Sequence, residues 1–194
     1  MLKKTLLVSG IALAVAAPAM AEQRTSSVRD NGLSYTYGQL AYDRWDFDGD
    51  WDADALSAEG SFGLDEHLFL RGALRFYDGD YDIDGKQLSA GIGFHTPLQQ
   101  RLDFVTSADI IYDDRDYRVG DDDDVGFEIR GGVRHATTEK VELSGGLTYI
   151  DLYDDDLGVY GEGLFKVTPA VDLGARVVVA SDRDSIGVFG RYNF

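Results

Sequence analysis

Ser185-Ile-Gly-Val-Phe-Gly-Arg-Tyr-Asn-Phe194 alternates two kinds of side chain and stops on an aromatic. Ile186, Val188, Tyr192 and Phe194 share one face, while Gly187, Arg191 and Asn193 share the other. Alternation of period two marks a strand with one apolar and one polar face. In a soluble sheet such a terminal strand would expose an edge that recruits other chains. In a closed membrane barrel the apolar face meets lipid, the polar face meets the lumen, and the last strand pairs with the first.

The pattern recurs upstream. Strands are predicted at residues 33–45, 54–64, 67–77, 86–96, 101–112, 124–135, 140–152, 158–167, 171–180 and 185–194. In the second, Leu56, Ala58, Gly60, Phe62 and Leu64 oppose Ser57, Glu59, Ser61 and Gly63; in the sixth, Val125, Phe127, Ile129 and Val133 oppose Glu128, Arg130, Gly132 and Arg134. The first segment switches parity, since Tyr35 and Tyr37 suggest one face and Leu40 and Tyr42 the other; a bulge or a partly apolar lumen would account for it. About ten residues, tilted by about 40°, cover roughly the 25 Å apolar band of an outer-membrane barrel. The expected fold is therefore all-β: a closed antiparallel up-and-down transmembrane β-barrel of about ten strands. Eight is the alternative, if two segments lie above the membrane.

Residues 1–21 carry Lys3 and Lys4, an apolar run from Leu6 to Ala17, and Pro18-Ala-Met-Ala21 with its small-x-small pattern, which reads as a signal peptide for Sec export. Residues 22–194 are then one barrel domain. Nothing approaches a continuous run of about 18 apolar residues. With no cysteine, an exported chain must be stabilised by sheet closure and packing alone. The net charge of -17 excludes nucleic acid as a partner, because phosphate binding needs a basic surface. The mean hydropathy of -0.22 is compatible with a barrel, in which only alternate residues face lipid.

Short connections at residues 65–66, 97–100, 136–139 and 168–170 alternate with longer or more acidic ones at 46–53, 78–85, 113–123, 153–157 and 181–184. Tight turns belong in the periplasm and longer loops outside, so most of the 35 acidic residues gather at the outer end. Trp45, Trp51, Tyr77, Tyr81, Tyr112, Tyr149, Tyr153 and Tyr160 are expected near the outer rim, and Phe94, Phe104, Phe165, Tyr192 and Phe194 near the inner one.

The signal segment, the alternating strands and the terminal Tyr192-Asn-Phe194 together resemble the small single-chain Gram-negative outer-membrane β-barrels of the OmpA, OmpX and OmpW class. The opening Gly32-Leu-Ser-Tyr-Thr-Tyr37 looks closer to a subgroup of exported barrels of poorly defined role. The resemblance implies that Tyr192 and Phe194 form the signal read by the barrel-assembly machinery. It also implies outer-membrane lipid and lipopolysaccharide as surroundings, and a monomer.

Two further sets of residues are candidates. Clustered carboxylates suit hard cations such as Ca²⁺ or Mg²⁺, which singles out Asp46, Asp48 and Asp50, then Asp80, Asp82 and Asp84, then Asp121, Asp122, Asp123 and Asp124. Asp80-Tyr-Asp-Ile-Asp-Gly85 matches the first half of an EF-hand loop, but position twelve is Gly91. Asp48 to Glu59 keeps the Glu but has Ala53 where Gly is required. Solvated, mutually repelling loops are the simpler reading. In the lumen, parity places Glu59, Asp103, Asp109, Glu128, Glu142, Glu162 and Asp172 opposite Arg71, Arg75, Arg130, Arg134, Lys166, Arg176 and Arg191. Equal numbers suggest an interior salt-bridge network, because buried charges are costly unless paired. Inward glycines at 63, 91, 93, 132, 146, 174 and 187 remove volume and leave room for a narrow path.

No catalytic residues are assigned. His67, His95 and His135 fall beside periplasmic turns, a membrane thickness from the acidic loops, and no nucleophile elbow, P-loop or dense His/Cys cluster is present. The expected role is structural or surface-interacting, with weak divalent-cation binding at the Asp-rich loops. A narrow channel for ions or small solutes is the alternative.

Overall fold

The computed structural model describes residues 31–47, 51–80, 83–117 and 120–194, and within them ten antiparallel strands close into a single up-and-down barrel. The strands are β1 (Tyr37–Phe47), β2 (Trp51–Gly63), β3 (Leu68–Gly79), β4 (Ile83–Gln99), β5 (Leu102–Tyr117), β6 (Gly120–Ala136), β7 (Val141–Leu152), β8 (Asp154–Lys166), β9 (Val171–Ala180) and β10 (Arg183–Asn193). Each pairs with its neighbour in sequence. β1 closes on β10 from Tyr37 opposite Asn193 to Phe47 opposite Arg183, so the barrel has no free edge. The proposed signal peptide, Asp48, Asp50 and Asp82 lie outside the described residues.

Alternation positions the wall. Leu40, Leu56, Leu88, Ile110, Leu147 and Ile186 all stand on the outside, with Leu40 66% and Ile110 67% exposed. That exposure suits a wall solvated by lipid and would be a liability in water. Phe94, Phe104, Phe165, Tyr192 and Phe194 share this outer face, and the Tyr192 and Phe194 rings meet edge-on at 5.2 Å.

Of the two accounts of the first segment's parity switch, the partly apolar lumen holds: Gln39, Ala41, Asp43 and Trp45 are buried inside while Leu40 and Tyr42 are exposed. Three expectations change. β1 itself starts at Tyr37, and residues 33–36 leave the wall. The outer connections are also not long loops. β5 and β6 pair from Leu102 opposite His135 up to Tyr117 opposite Gly120, so most of the 113–123 stretch is ladder. A hairpin above the membrane needs no apolar face, so carboxylates can occupy both sides while the ladder satisfies the backbone. Finally, Trp45 and Tyr77 are buried inside the barrel rather than anchored at the lipid interface.

Candidate functional site

Residues 31–36 cross the periplasmic mouth as a strap. The turn begins at Gly32, whose φ of 78° lies in the left-handed region that glycine adopts without steric cost. Leu33 and Tyr35 then pack inward with Phe69 and Ala136, beside Val105. The strap is pinned from several walls. Tyr35 donates its hydroxyl to Asp103 Oδ2 at 3.0 Å, Asn31 donates to Asp103 Oδ1 at 3.2 Å, and Arg134 donates to the Ser34 carbonyl at 3.2 Å. Lys166 Nζ donates to the Gly32 carbonyl. The Tyr35 ring stacks on His95 at 3.6 Å, and His95 Nδ1 lies 3.4 Å from Asp103. His95 stands beside the turn that joins β4 to β5, as its place in the sequence suggests, with its ring buried inside the lumen.

All fourteen charged residues assigned inward by parity line the lumen, but they do not pair simply, acid with base. Arg176 grips Asp43 through Nε and Nη2 at 2.7 and 2.6 Å and reaches Glu59 at 2.8 Å. Arg71 meets Asp109 at 3.2 Å, Arg130 meets Glu128 at 3.3 Å and Glu162 at 4.0 Å, and Arg134 Nε donates to Glu142 at 2.8 Å. Arg191 also reaches Glu142 at 4.0 Å, and neutral partners complete the set. Arg75 donates to Gln87 at 2.7 Å, Arg191 to Gln39 at 3.0 Å, and Asn193 to Asp172 at 2.7 Å. Asp43, Asp113, Arg115 and Arg183 belong to this interior as well and escaped the sequence reading, which assigned Asp113 to an outer loop.

At two of the inward glycines an aromatic ring takes the vacated space. The Phe69 ring occupies the space where a Cβ on Gly93 would stand, at 2.0 Å, and the Phe189 ring does the same at Gly174, at 2.3 Å. Glycine here is what lets a ring lie flat across the lumen wall.

At the outer end a cavity of about 210 Å³ opens between Trp45, Phe47, Tyr77, Arg115, Tyr153 and Arg183. Tyr153 tips the β7–β8 hairpin with φ 64°, a conformation that costs a bulky residue about 1–2 kcal/mol. It is held there because its backbone N–H donates to Asp124 Oδ2 at 2.8 Å. Its ring lies 4.1 Å from the Arg115 guanidinium, and burial together with the charge of Asp113 raises its phenol above the ordinary tyrosine range. Tyr77 donates to Asp113 at 2.9 Å and accepts from Arg115 Nε at 3.2 Å. Arg183 lies over Trp45 at 4.6 Å.

Among the described residues, the Asp-rich segments do not converge. Asp121, Asp122, Asp123 and Asp124 lie in β6 opposite Asp116, Arg115, Asp114 and Asp113, so successive carboxylates point to opposite faces. Asp84 pairs across β3–β4 with Asp78, and Asp46 with Asp52 and Asp184. Asp80 Oδ2 accepts from the Asp52 backbone N–H at 3.2 Å. Among the described residues no group of three or more His, Asp or Glu side chains is arranged to hold a metal ion.

The comparisons agree with this architecture. The beta domain of the Bordetella autotransporter BrkA superposes with a TM-score of 0.55 at 13% identity, over 81% of this chain and 98% of that one. The KdgM porin in complex with disordered oligogalacturonate gives a TM-score of 0.50 at 10% identity, over 80% and 99%. These likenesses speak to the fold alone. No curated protein matches the sequence. The model of the outer membrane protein beta-barrel domain matches residues 7–168, most of the chain. The chain belongs to that family of outer-membrane β-barrels.

Proposed function

We propose that this protein acts at the outer surface as a closed barrel bearing an acidic crown, and not as an open pore or an enzyme. The observation that carries this reading is the strap: residues 32–35 lie across the periplasmic mouth, pinned to β5, β6 and β8 by Asp103, Arg134 and Lys166. Above it the lumen is occupied by Arg176, Arg130 and Arg71 with their carboxylates. Planar-bilayer recording tests the reading. Folded protein gives no discrete conductance steps; steps from the unmodified chain overturn it.

The second reading is a narrow channel for ions or small solutes. It is favoured by the strap lying outside the strand ladder, held largely by side chains. Steps that appear only in a Tyr35→Ala variant would favour that reading.

In this proposal the chain leaves the cytoplasm by the Sec route, and Tyr192 with Phe194 is read by the assembly machinery. The finished protein is a monomer among lipid and lipopolysaccharide. Attraction of divalent cations by the crown is diffuse, because its carboxylates alternate between faces.

A further inference from the structure

The cup at the outer mouth carries chemistry that neither a closed stave nor a solute path requires. Its 210 Å³ corresponds to about seven water volumes at roughly 30 Å³ each, which is room for a single pyranose ring and not for an oligomer. Arg183 is the key group. Its guanidinium lies 4.6 Å from the Trp45 ring and 5.9 Å from the Phe47 ring, and among the described residues it makes no hydrogen bond or ion pair. Its five N–H donors therefore border the cavity without an acceptor among the described residues.

The carboxylates nearby do not meet it because they are engaged elsewhere. Asp156 Oδ1 accepts from Ser181 Oγ at 3.0 Å and from the Asp182 backbone at 3.2 Å, and Asp184 Oδ1 accepts from the Ala180 backbone at 3.2 Å. Arg115, held against Tyr153, is the second guanidinium on the cavity wall.

We propose that this cup binds a monoanionic sugar acid, with its carboxylate on Arg183 and Arg115 and its ring face against Tyr153. Guanidinium groups bind carboxylates through paired, charge-assisted hydrogen bonds. Ile150, Leu152 and Tyr153 offer an apolar wall to the C–H face of a ring, while Asp154 at the rim can accept sugar hydroxyls. A neutral sugar would leave Arg183 unmatched. A polyanion would be repelled by Asp154, Asp156 and Asp182 around the entrance. The site stands whether or not the lumen below it conducts.

Calorimetric titration of the refolded full chain in detergent micelles tests this. D-glucuronate binds with a Kd of about 1 mM or tighter, and D-glucose and trigalacturonate bind at least about tenfold more weakly. Arg183→Gln and Arg115→Gln each weaken glucuronate about tenfold or more, with the barrel's folded state verified by its heat-shifted gel mobility. If one variant fails to fold, the other carries the test. Equal affinity for glucose, tighter binding of trigalacturonate, or unchanged glucuronate binding in the folded variants overturns the proposal. So does the absence of binding by glucuronate, galacturonate and N-acetylneuraminate alike.

Discussion

Tyr35 donates its hydroxyl to Asp103 Oδ2 at 3.0 Å, joining the strap before β1 to the start of β5 over 68 residues of sequence. Asp103 is fully buried and also accepts from Asn31, so this carboxylate anchors the strap. Tyr35→Ala removes a donor and opens a hole among Leu33, Phe69 and Ala136, at a cost of about 3 kcal/mol. Tyr35→Phe keeps the ring and costs about 1 kcal/mol. Urea unfolding in micelles separates the two.

Exposure ranks the ion pairs. The Arg176 and Asp43 side chains are 10% and 4% exposed, whereas those of Arg44 and Asp52 are 59% and 41%. Arg176→Ala strands Asp43 and Glu59 without a counter-charge and costs about 3–5 kcal/mol. Arg44→Ala leaves stability nearly unchanged, because solvent screens an exposed pair. The same unfolding assay reads both, and equal losses would contradict the burial argument.

Two glycines make a matched comparison. A Cβ at Gly93 meets the Phe69 ring at 2.0 Å, while one at Gly60 meets nothing within 4 Å. Gly93→Ala therefore destabilises by about 1–3 kcal/mol and Gly60→Ala is nearly neutral. Adding Phe69→Leu to Gly93→Ala recovers part of the loss, because the two positions share one volume.

Asp65, in the exposed turn between β2 and β3, accepts the backbone N–H groups of His67 and Leu68 at 2.7 and 2.8 Å, which hold its carboxyl below the ordinary value. A depressed folded pKa contributes stability that is present above the unfolded carboxyl pKa of about 3.9 and lost as pH falls through the folded one. Acidification below about pH 4 therefore lowers the Tm of the unmodified protein. Asp65→Asn starts slightly lower at neutral pH and loses less over that interval.

Phe194 lies against Gly38 on the lipid side of the β1–β10 seam, and its backbone N–H donates to the Thr36 carbonyl at 3.3 Å. Removing it sharply lowers the amount of protein inserted in cells while leaving refolding in micelles largely intact. Similar losses in both would make Phe194 an ordinary packing residue instead of an assembly signal.

Lipid made the wall legible. A residue such as Leu56 or Val188 must be apolar wherever it meets hydrocarbon, so strand count, facing and closure are written locally at every second position. The acidic hairpins misled because Asp121–Asp124 has poor strand propensity, and pairing with β5 overrode it. Trp45 and Tyr77 misled for another reason: a rim position is compatible with either face, and only register shows that they point inward.

The sequence by itself determined a closed antiparallel barrel of about ten strands and most of the charges that face inward, because these follow from a period-two pattern and from the lengths between turns. Tertiary structure alone decided who meets whom inside. Asp43 with Arg176, Tyr35 with Asp103 and Arg115 with Tyr153 are contacts across the lumen, between residues 133, 68 and 38 apart. They depend on closure and strand stagger, which no local stretch of chain encodes. The inward face accepts any side chain whose partner stands on another stave, so its pattern is visible only once the barrel is shut.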